Sequence, residues 1–281
     1  MTDATQQIIG KEIPCLDKGF VRLVDVMGSD AAIVQAARVS YGAGTKQVSE
    51  DRGLIRYLMR HLHTTPFEMV EFKFHVKLPI FVARQWIRHR TANVNEYSGR
   101  YSEMKDEFYV PELSQVRAQS TSNKQGREEQ AFAEEDAMRI TNGMRSTQER
   151  QYAEYLQLLD TGLAREIARI NLPVSNYTEW YWKIDLHNLF HFLRLRIDAH
   201  AQYEIRVYAS AMAEIVKQIV PFAWEAFEDY MLHSERFTRL ELGVLSNLIK
   251  SVQLDEASLA EHGLKGREAR EFLEKLKKLS E

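Results

Sequence analysis

Apolar and polar positions alternate along this chain in two periods, and the switches between them outline its elements. Phe20-Val21-Arg22-Leu23-Val24-Asp25-Val26 is β-rich and predicts a strand, and Gly28-Ser29-Asp30 then offers a turn and cap to a helix through Arg38. Tyr41 to Gly44 is expected to be a loop, followed by a helix from Glu50 to Leu62 carrying Leu54, Tyr57, Leu58 and His61 at helical spacing. From Val70 to Leu78 apolar residues alternate with Glu71, Lys73, His75 and Lys77, the period-two pattern of a half-buried strand with His75 on its solvated face. Pro79 then suits a first helical position, so a helix is expected over 79–90.

Farther on, residues 103–150 are charge-dense and read as a mobile excursion, with a helix beginning near Gln130. Tyr155, Leu159, Leu163, Ile167 and Ile170 predict a core stripe on a helix over 152–170, interrupted at Thr161-Gly162. The stretch 180–206 reads as one helix whose apolar face holds Leu186, Leu189, Phe190, Leu193 and Ile197. On such a helix Asp185 and Arg196 share a face about 16 Å apart, at 1.5 Å per residue, while His187 lies opposite Arg196. Residues 207–232 continue as apolar helix with a break at Pro221. The domain plan is a tail over 1–16, a catalytic domain over 17–232 and a charged helical extension over 233–281. In that extension, Ser258 to Glu261 resembles a capping box and Phe272, Leu273, Leu276 and Leu279 form an amphipathic stripe. The elements predict an α+β fold, an antiparallel or mixed sheet covered by helices.

Composition narrows the function. With 44% hydrophobic and 27% charged residues, the chain has the make-up of an ordinary soluble globular protein. A net charge of −3 argues against a nucleic-acid binder that works through bulk electrostatics. One cysteine excludes an intrachain disulfide framework and fits a cytoplasmic location. The N-terminus has no basic region followed by an apolar core, and no apolar run approaches a membrane span.

The chemistry concentrates in RQWIRHRTANVNEYSGRYS, residues 84–102. On the expected helix Arg84 and Arg88 sit at i, i+4, as do Gln85 and His89. Like charges at that spacing repel, so an anion is expected between them, and arginine forks suit phosphate and carboxylate. The alternative use of Arg84, Arg88, Arg90 and Arg100 with Tyr97 and Tyr101 would be RNA stacking, which the acidic balance disfavours. His61 and His63 lack a third metal ligand, so no metal is expected. Thr65-Pro66-Phe67-Glu68 fits a capping box, whose free amides also favour phosphate.

Arg88-His89-Arg90 followed after seven residues by Ser98, with the flanks ARQW and NEYSGRYS, resembles the signature of the flavin-dependent thymidylate synthases, and the likeness extends from about Asp17 to Ala226. The resemblance implies reductive methylation of dUMP to dTMP, with methylenetetrahydrofolate as carbon donor and NADPH as reductant through FAD, in a homotetramer with shared active sites. It implies flavin contacts from Thr65, Arg88, His89, Arg90, Glu96, Asp185, His187 and His191. Gln85, Arg88, Glu96, Ser98, Gly99, Arg100 and Arg169 would hold the nucleotide, and Arg196 would polarise the pyrimidine. Some members carry Asn at the positions of Asp185 and His191 and Arg at that of His187. A cysteine thiolate, which other thymidylate chemistry needs, has only Cys15 to draw on, and its place in the expected tail argues against that route.

Overall fold

The computed structural model describes residues 3–39, 48–121, 126–250 and 254–280; the loop expected at Tyr41–Gly44 lies outside them. The chain runs α1 (Asp3–Ile8), β1 (Glu12–Cys15), β2 (Gly19–Met27), α2 (Asp30–Val39), α3 (Val48–Arg60), β3 (Glu71–Pro79), α4 (Ile80–Trp86) and β4 (Asn93–Glu96). A hairpin of β5 (Arg117–Gln119) and β6 (Arg127–Ala131) precedes α5 (Glu134–Asp160), α6 (Arg165–Ala168), β7 (Tyr177–Asp185) and α7 (Leu186–Arg196). The last elements are α8 (Tyr203–Ile219), α9 (Pro221–Phe227), α10 (Arg239–Ile249), α11 (Glu256–Glu261) and α12 (Gly266–Ser280). The main sheet has strand order β1-β2-β3-β7-β4 and every pairing is antiparallel, so the α+β expectation holds with a purely antiparallel sheet.

Alternation builds the sheet's inner face. Val21 and Leu23 from β2, Phe72, Phe74, Val76 and Leu78 from β3, and Trp180, Trp182 and Ile184 from β7 are all buried. Trp86 closes this core from α4, edge-on to Trp180 and Trp182 and stacked on Phe192 of α7 at 4.7 Å. Burying aromatic rings of this size contributes about 1.5–3 kcal/mol each, which fixes where α4 and α7 meet. Asp30 tethers α9 to the start of α2: its carboxylate accepts from the backbone N–H groups of Phe222 and Ala223 at 2.9 and 3.0 Å.

Several expectations need correction. The first 16 residues are no tail: β1 pairs with β2, and Cys15 is buried at its end. The stretch 180–206 is not one helix, because Trp180, Trp182 and Ile184 alternate with Tyr181 and Lys183 and pair along β3 through Asp185. The helix expected over 79–90 ends at Trp86, where the chain turns to pair β4 with β7. Arg88 and His89 therefore leave the helix, and the i, i+4 pairs Arg84–Arg88 and Gln85–His89 do not form on it. The expected stripe holds at Tyr155 and Leu159, which pack in one cluster, and fails beyond them, since Leu163, Ile167 and Ile170 are exposed. Thr65 makes no side-chain cap; a 3-10 turn over Phe67–Met69 begins at Pro66 instead. His75 is not solvated: only 13% of its side chain is exposed, and it hydrogen-bonds Glu179 at 3.0 Å and stacks on Tyr181.

The charged excursion is ordered where it is described. Met104 exchanges hydrogen bonds with Tyr155 and Tyr152 of α5, and Gln148 of α5 donates to the Tyr109 carbonyl. The chain divides into two compact units, Met1–Leu232 and His233–Glu281. Within the second, Asp255 and Ser258 form the capping box of α11, three residues ahead of the box expected at Ser258. Among the described residues no helix is long and apolar enough to cross a membrane.

Candidate active site

Two elements of the core deliver an arginine cleft to the surface. Trp86 anchors the end of α4, so the next residues, Ile87 to Thr91, are displayed beside α7. From α7, Asn188, His191 and Leu195 recur at helical spacing on the facing side, and Arg196 ends the helix. Together Arg88, His89, Arg90, Thr91, Ile184, Asn188, His191, Leu195 and Arg196 line a cleft of about 620 Å³.

No carboxylate lines the cleft, and Arg84, Arg88 and Arg90 have no acidic partner among the described residues. Arg196 donates from Nε to His89 Nε2 at 3.1 Å. That bond requires a neutral imidazole with its proton on Nδ1. Burial, then the charge of Arg196, then His191 hold the His89 pKa down to about 4, so the ring is neutral at physiological pH. The edge of His89 meets Phe192 at 4.9 Å, which fixes its plane. Burial also lowers the Arg196 pKa, yet a guanidinium starting so high stays charged. The donor set, three guanidinium groups with an amide and a neutral imidazole, fits an acceptor-rich anion such as the diphosphate of a dinucleotide. Beneath it a hollow of about 170 Å³ is lined by Trp86, His89, Arg90 and Trp180 among others, and the indole N–H groups of Trp86 and Trp180 have no acceptor among the described residues.

The remaining expected residues fall into two further groups. Ser98, Gly99 and Arg100 form a turn against Arg169: a Cβ on Gly99 would stand 2.6 Å from Met104 Sδ and 3.1 Å from the Arg169 side chain, so the glycine allows both side chains to approach closely. The Ser98 hydroxyl accepts from the Arg100 backbone N–H at 3.3 Å, and Arg100 pairs with Glu166. Glu96, on the edge strand β4, accepts from the Thr178 hydroxyl at 2.8 Å. In the other group, Leu186 N–H bonds the Val70 carbonyl, which sets the turn after Thr65 against the start of α7. There Asp185 caps α7, accepting from the Asn188 backbone and side chain at 2.9 and 2.7 Å, and His187 is half-buried. Gln85 lies within α4 with its side-chain oxygen buried and unpartnered among the described residues.

Of the expected flavin and nucleotide residues, the cleft gathers Arg88, His89, Arg90, His191 and Arg196; Gln85, Thr65, Glu96, Asp185, His187 and the Ser98–Arg100/Arg169 group do not line it. Asn188 was missed, although its place on one helical face with His191 and Leu195 was a signal for it. Cys15 is 1% exposed on β1, and burial pushes its thiol up to about 12, so it supplies no thiolate at neutral pH. Among the described residues no group of three metal-ligating side chains forms.

The fold is thus an antiparallel α+β domain that displays arginines without acidic partners among the described residues over an aromatic core, a chemistry suited to anions. Residues 22–222 match the family described as Thymidylate synthase complementing protein. The flavin-dependent thymidylate synthase of Ehrlichia ruminantium (strain Gardel) is 56% identical over 271 residues, 96% of this chain and 90% of that protein. That of Thermus thermophilus is 58% identical over 264 residues, 94% of this chain and 95% of its own length. The crystal structure of a UMP/dUMP methylase from Streptomyces cacaoi bound with 5-Br dUMP superposes with a TM-score of 0.71 at 36% identity, covering 79% of this chain and 100% of that one. The chain belongs to this family, the flavin-dependent thymidylate synthases.

Proposed function

We propose that this protein methylates dUMP reductively to dTMP, with methylenetetrahydrofolate as carbon donor, FAD as cofactor and NADPH as reductant. The observation that carries the proposal is the carboxylate-free arginine cleft, in which Arg196 is oriented by a neutral His89. Its support comes from the family and from the names of its relatives, which specify flavin and thymidylate.

Arg88 and Arg90, without acidic partners among the described residues, have forks to bind phosphate oxygens, and the neutral His89 presents its Nδ1–H as a further donor. The Arg196 Nε is committed to His89, which leaves its two Nη groups to face a uracil oxygen and ring nitrogen. In that position they stabilise negative charge on the pyrimidine and raise electron density at C5 without a protein nucleophile. A preorganised guanidinium in a site partly closed to water costs little reorganisation when that charge develops. When bound, FAD supplies the hydride that no side chain can deliver. Ser98 has no base among its described partners, so its hydroxyl serves better to hold phosphate than to attack carbon. Gly99, Arg100, Arg169, Gln85 and Glu96 complete the nucleotide's surroundings, and Thr65, Asp185, His187 and His191 those of the flavin.

These residues form three groups on one chain, and exposed apolar side chains accompany them: Leu62 ahead of Thr65, Ile170 beside Arg169 and Leu195 beside Arg196. A homotetramer that covers those side chains while bringing the groups together accounts for both facts, and the single buried cysteine suits a cytoplasmic enzyme. The test is direct. Purified protein is expected to show flavin absorbance, to be bleached anaerobically by NADPH, and then to form dTMP only when dUMP and methylenetetrahydrofolate are added. Sedimentation is expected to give four chains per particle. A colourless preparation that binds no added FAD, or a fully active monomer, would overturn the corresponding part.

A further inference from the structure

A second cavity lies away from the arginine cleft and shares no lining residue with it. It measures about 770 Å³, between α5, the β5–β6 hairpin, the first turn of α4 and the start of α8. That volume is in the range of small-molecule sites. Its walls are mostly apolar, with Phe81, Val116 and Ile140 among them, and three apolar side chains stand exposed in its lining: Phe132, Met144 and Val174. An apolar hollow lined by exposed apolar groups leaves surface in water that burial would stabilise.

Three charged residues line it, Arg117, Arg127 and Glu204. Glu204 is 2% exposed, and its carboxylate is saturated: both oxygens accept from Arg127, and Tyr109 and Gln202 donate to it as well. That pair cancels within the wall. Arg117 uses its Nε on the Ser114 carbonyl, and its two Nη groups have no partner among the described residues. The cavity therefore carries one uncompensated positive charge.

The wall formed by α5 adds a separate observation. Gly143 sits in the interior of this 27-residue helix, where glycine is less favourable than alanine. Its φ is not positive, and a Cβ built on it would meet no heavy atom within 4 Å, so neither backbone conformation nor a close neighbour calls for glycine. As a lining residue, the glycine adds no side-chain volume to the cavity.

We infer that this cavity is a second binding site, which takes a small amphipathic monoanion with a flat apolar body: the body lies over Gly143 between Phe81 and Ile140, and the anionic group pairs with Arg117. The site stands independently of the reaction proposed for the arginine cleft.

The probe is anilinonaphthalene sulfonate, an aromatic monoanion, titrated by fluorescence into full-length protein saturated with FAD and dUMP. Uncharged phenylnaphthylamine is titrated in parallel. Wild-type protein is expected to bind one sulfonate probe per chain saturably. Gly143→Phe, which fills open space on a helix, is expected to fold, keep its sedimenting mass and weaken both probes by at least about 10-fold. Gly143→Ala, which leaves most of the space, is expected to bind as wild type does. Arg117→Ala is expected to weaken the sulfonate selectively and leave the uncharged probe unchanged. Equal sulfonate affinity in wild type and Gly143→Phe would overturn the inference. So would a change of assembly in Gly143→Phe, which would assign the opening to a contact between chains, or equal loss of both probes in Arg117→Ala.

Discussion

Two arginine-rich regions of this molecule differ in what answers their charge. On the α3–α9 face, Arg52 and Arg56 converge on Glu225, Arg56 also reaches Asp229 at 2.6 Å, and its guanidinium lies over the Tyr230 ring. Arg52 and Arg56 hold the Glu225 carboxyl below its ordinary range. At the end of α4, Arg84, Arg88 and Arg90 have no carboxylate among the described residues, and Arg196 has only a neutral imidazole. The same residue type fastens two helices in one place and stands without a carboxylate among the described residues in the other. The difference lies in the neighbours, and it can be tested by exchanging what each arginine has to lose.

The largest effect is expected at Arg196. Arg196→Lys keeps the charge and loses the fork, and dTMP formation in a single turnover with pre-reduced flavin at saturating dUMP is expected to slow by at least about 100-fold while folding and FAD binding persist. Near-normal turnover would remove the residue from the chemistry. Next is the His89–Arg196 contact. The His89 pKa is lowered in the folded state, so its neutral form contributes stability that is present above the unfolded value of 6.5 and lost as pH falls towards about 4. An NMR titration is expected to place its midpoint near 4 and to move it up in Arg196→Gln, though not fully, because burial is the larger cause. A wild-type midpoint near 6.5 would break the orientation argument.

On the paired face, Arg56→Ala is expected to cost up to about 1 kcal/mol in urea unfolding and to leave dTMP formation unchanged, since partly exposed pairs contribute little. Little effect on catalysis is expected at Cys15 either. Its thiol is buried and protonated, so Cys15→Ala retains most of the activity, and a complete loss with fold and flavin intact would restore a thiolate route.

How far the sequence revealed this contrast follows from its physics. β-rich composition located β2 and period-two alternation located β3, and the apolar face of α7 emerged from Leu186, Leu189, Phe190 and Leu193, all of which are buried. It hid β7, because Trp180, Trp182 and Ile184 run straight into that helical stripe with only Asp185 to mark the change. It hid β1, whose four residues become a strand only through pairing with β2. Ion pairing was the least legible feature. Arg56 and Glu225 are 169 positions apart and meet only through packing of α3 on α9, whereas the absence of a partner for Arg88 exists only once the neighbours are known. The motif around Arg88 to Ser98 pointed to the cleft, while the hydrogen bond that orients Arg196 on His89 came from the fold.

The central claim is that the unpaired arginines belong to a ligand and the paired ones to the fold. It is tested most directly by titrating FAD into Arg88→Gln and Arg56→Gln side by side and following the flavin absorbance. The account predicts that Arg88→Gln binds FAD at least about 10-fold more weakly, as loss of a charged hydrogen bond implies, while Arg56→Gln binds as wild type does. Equal FAD affinity in the two variants would contradict it.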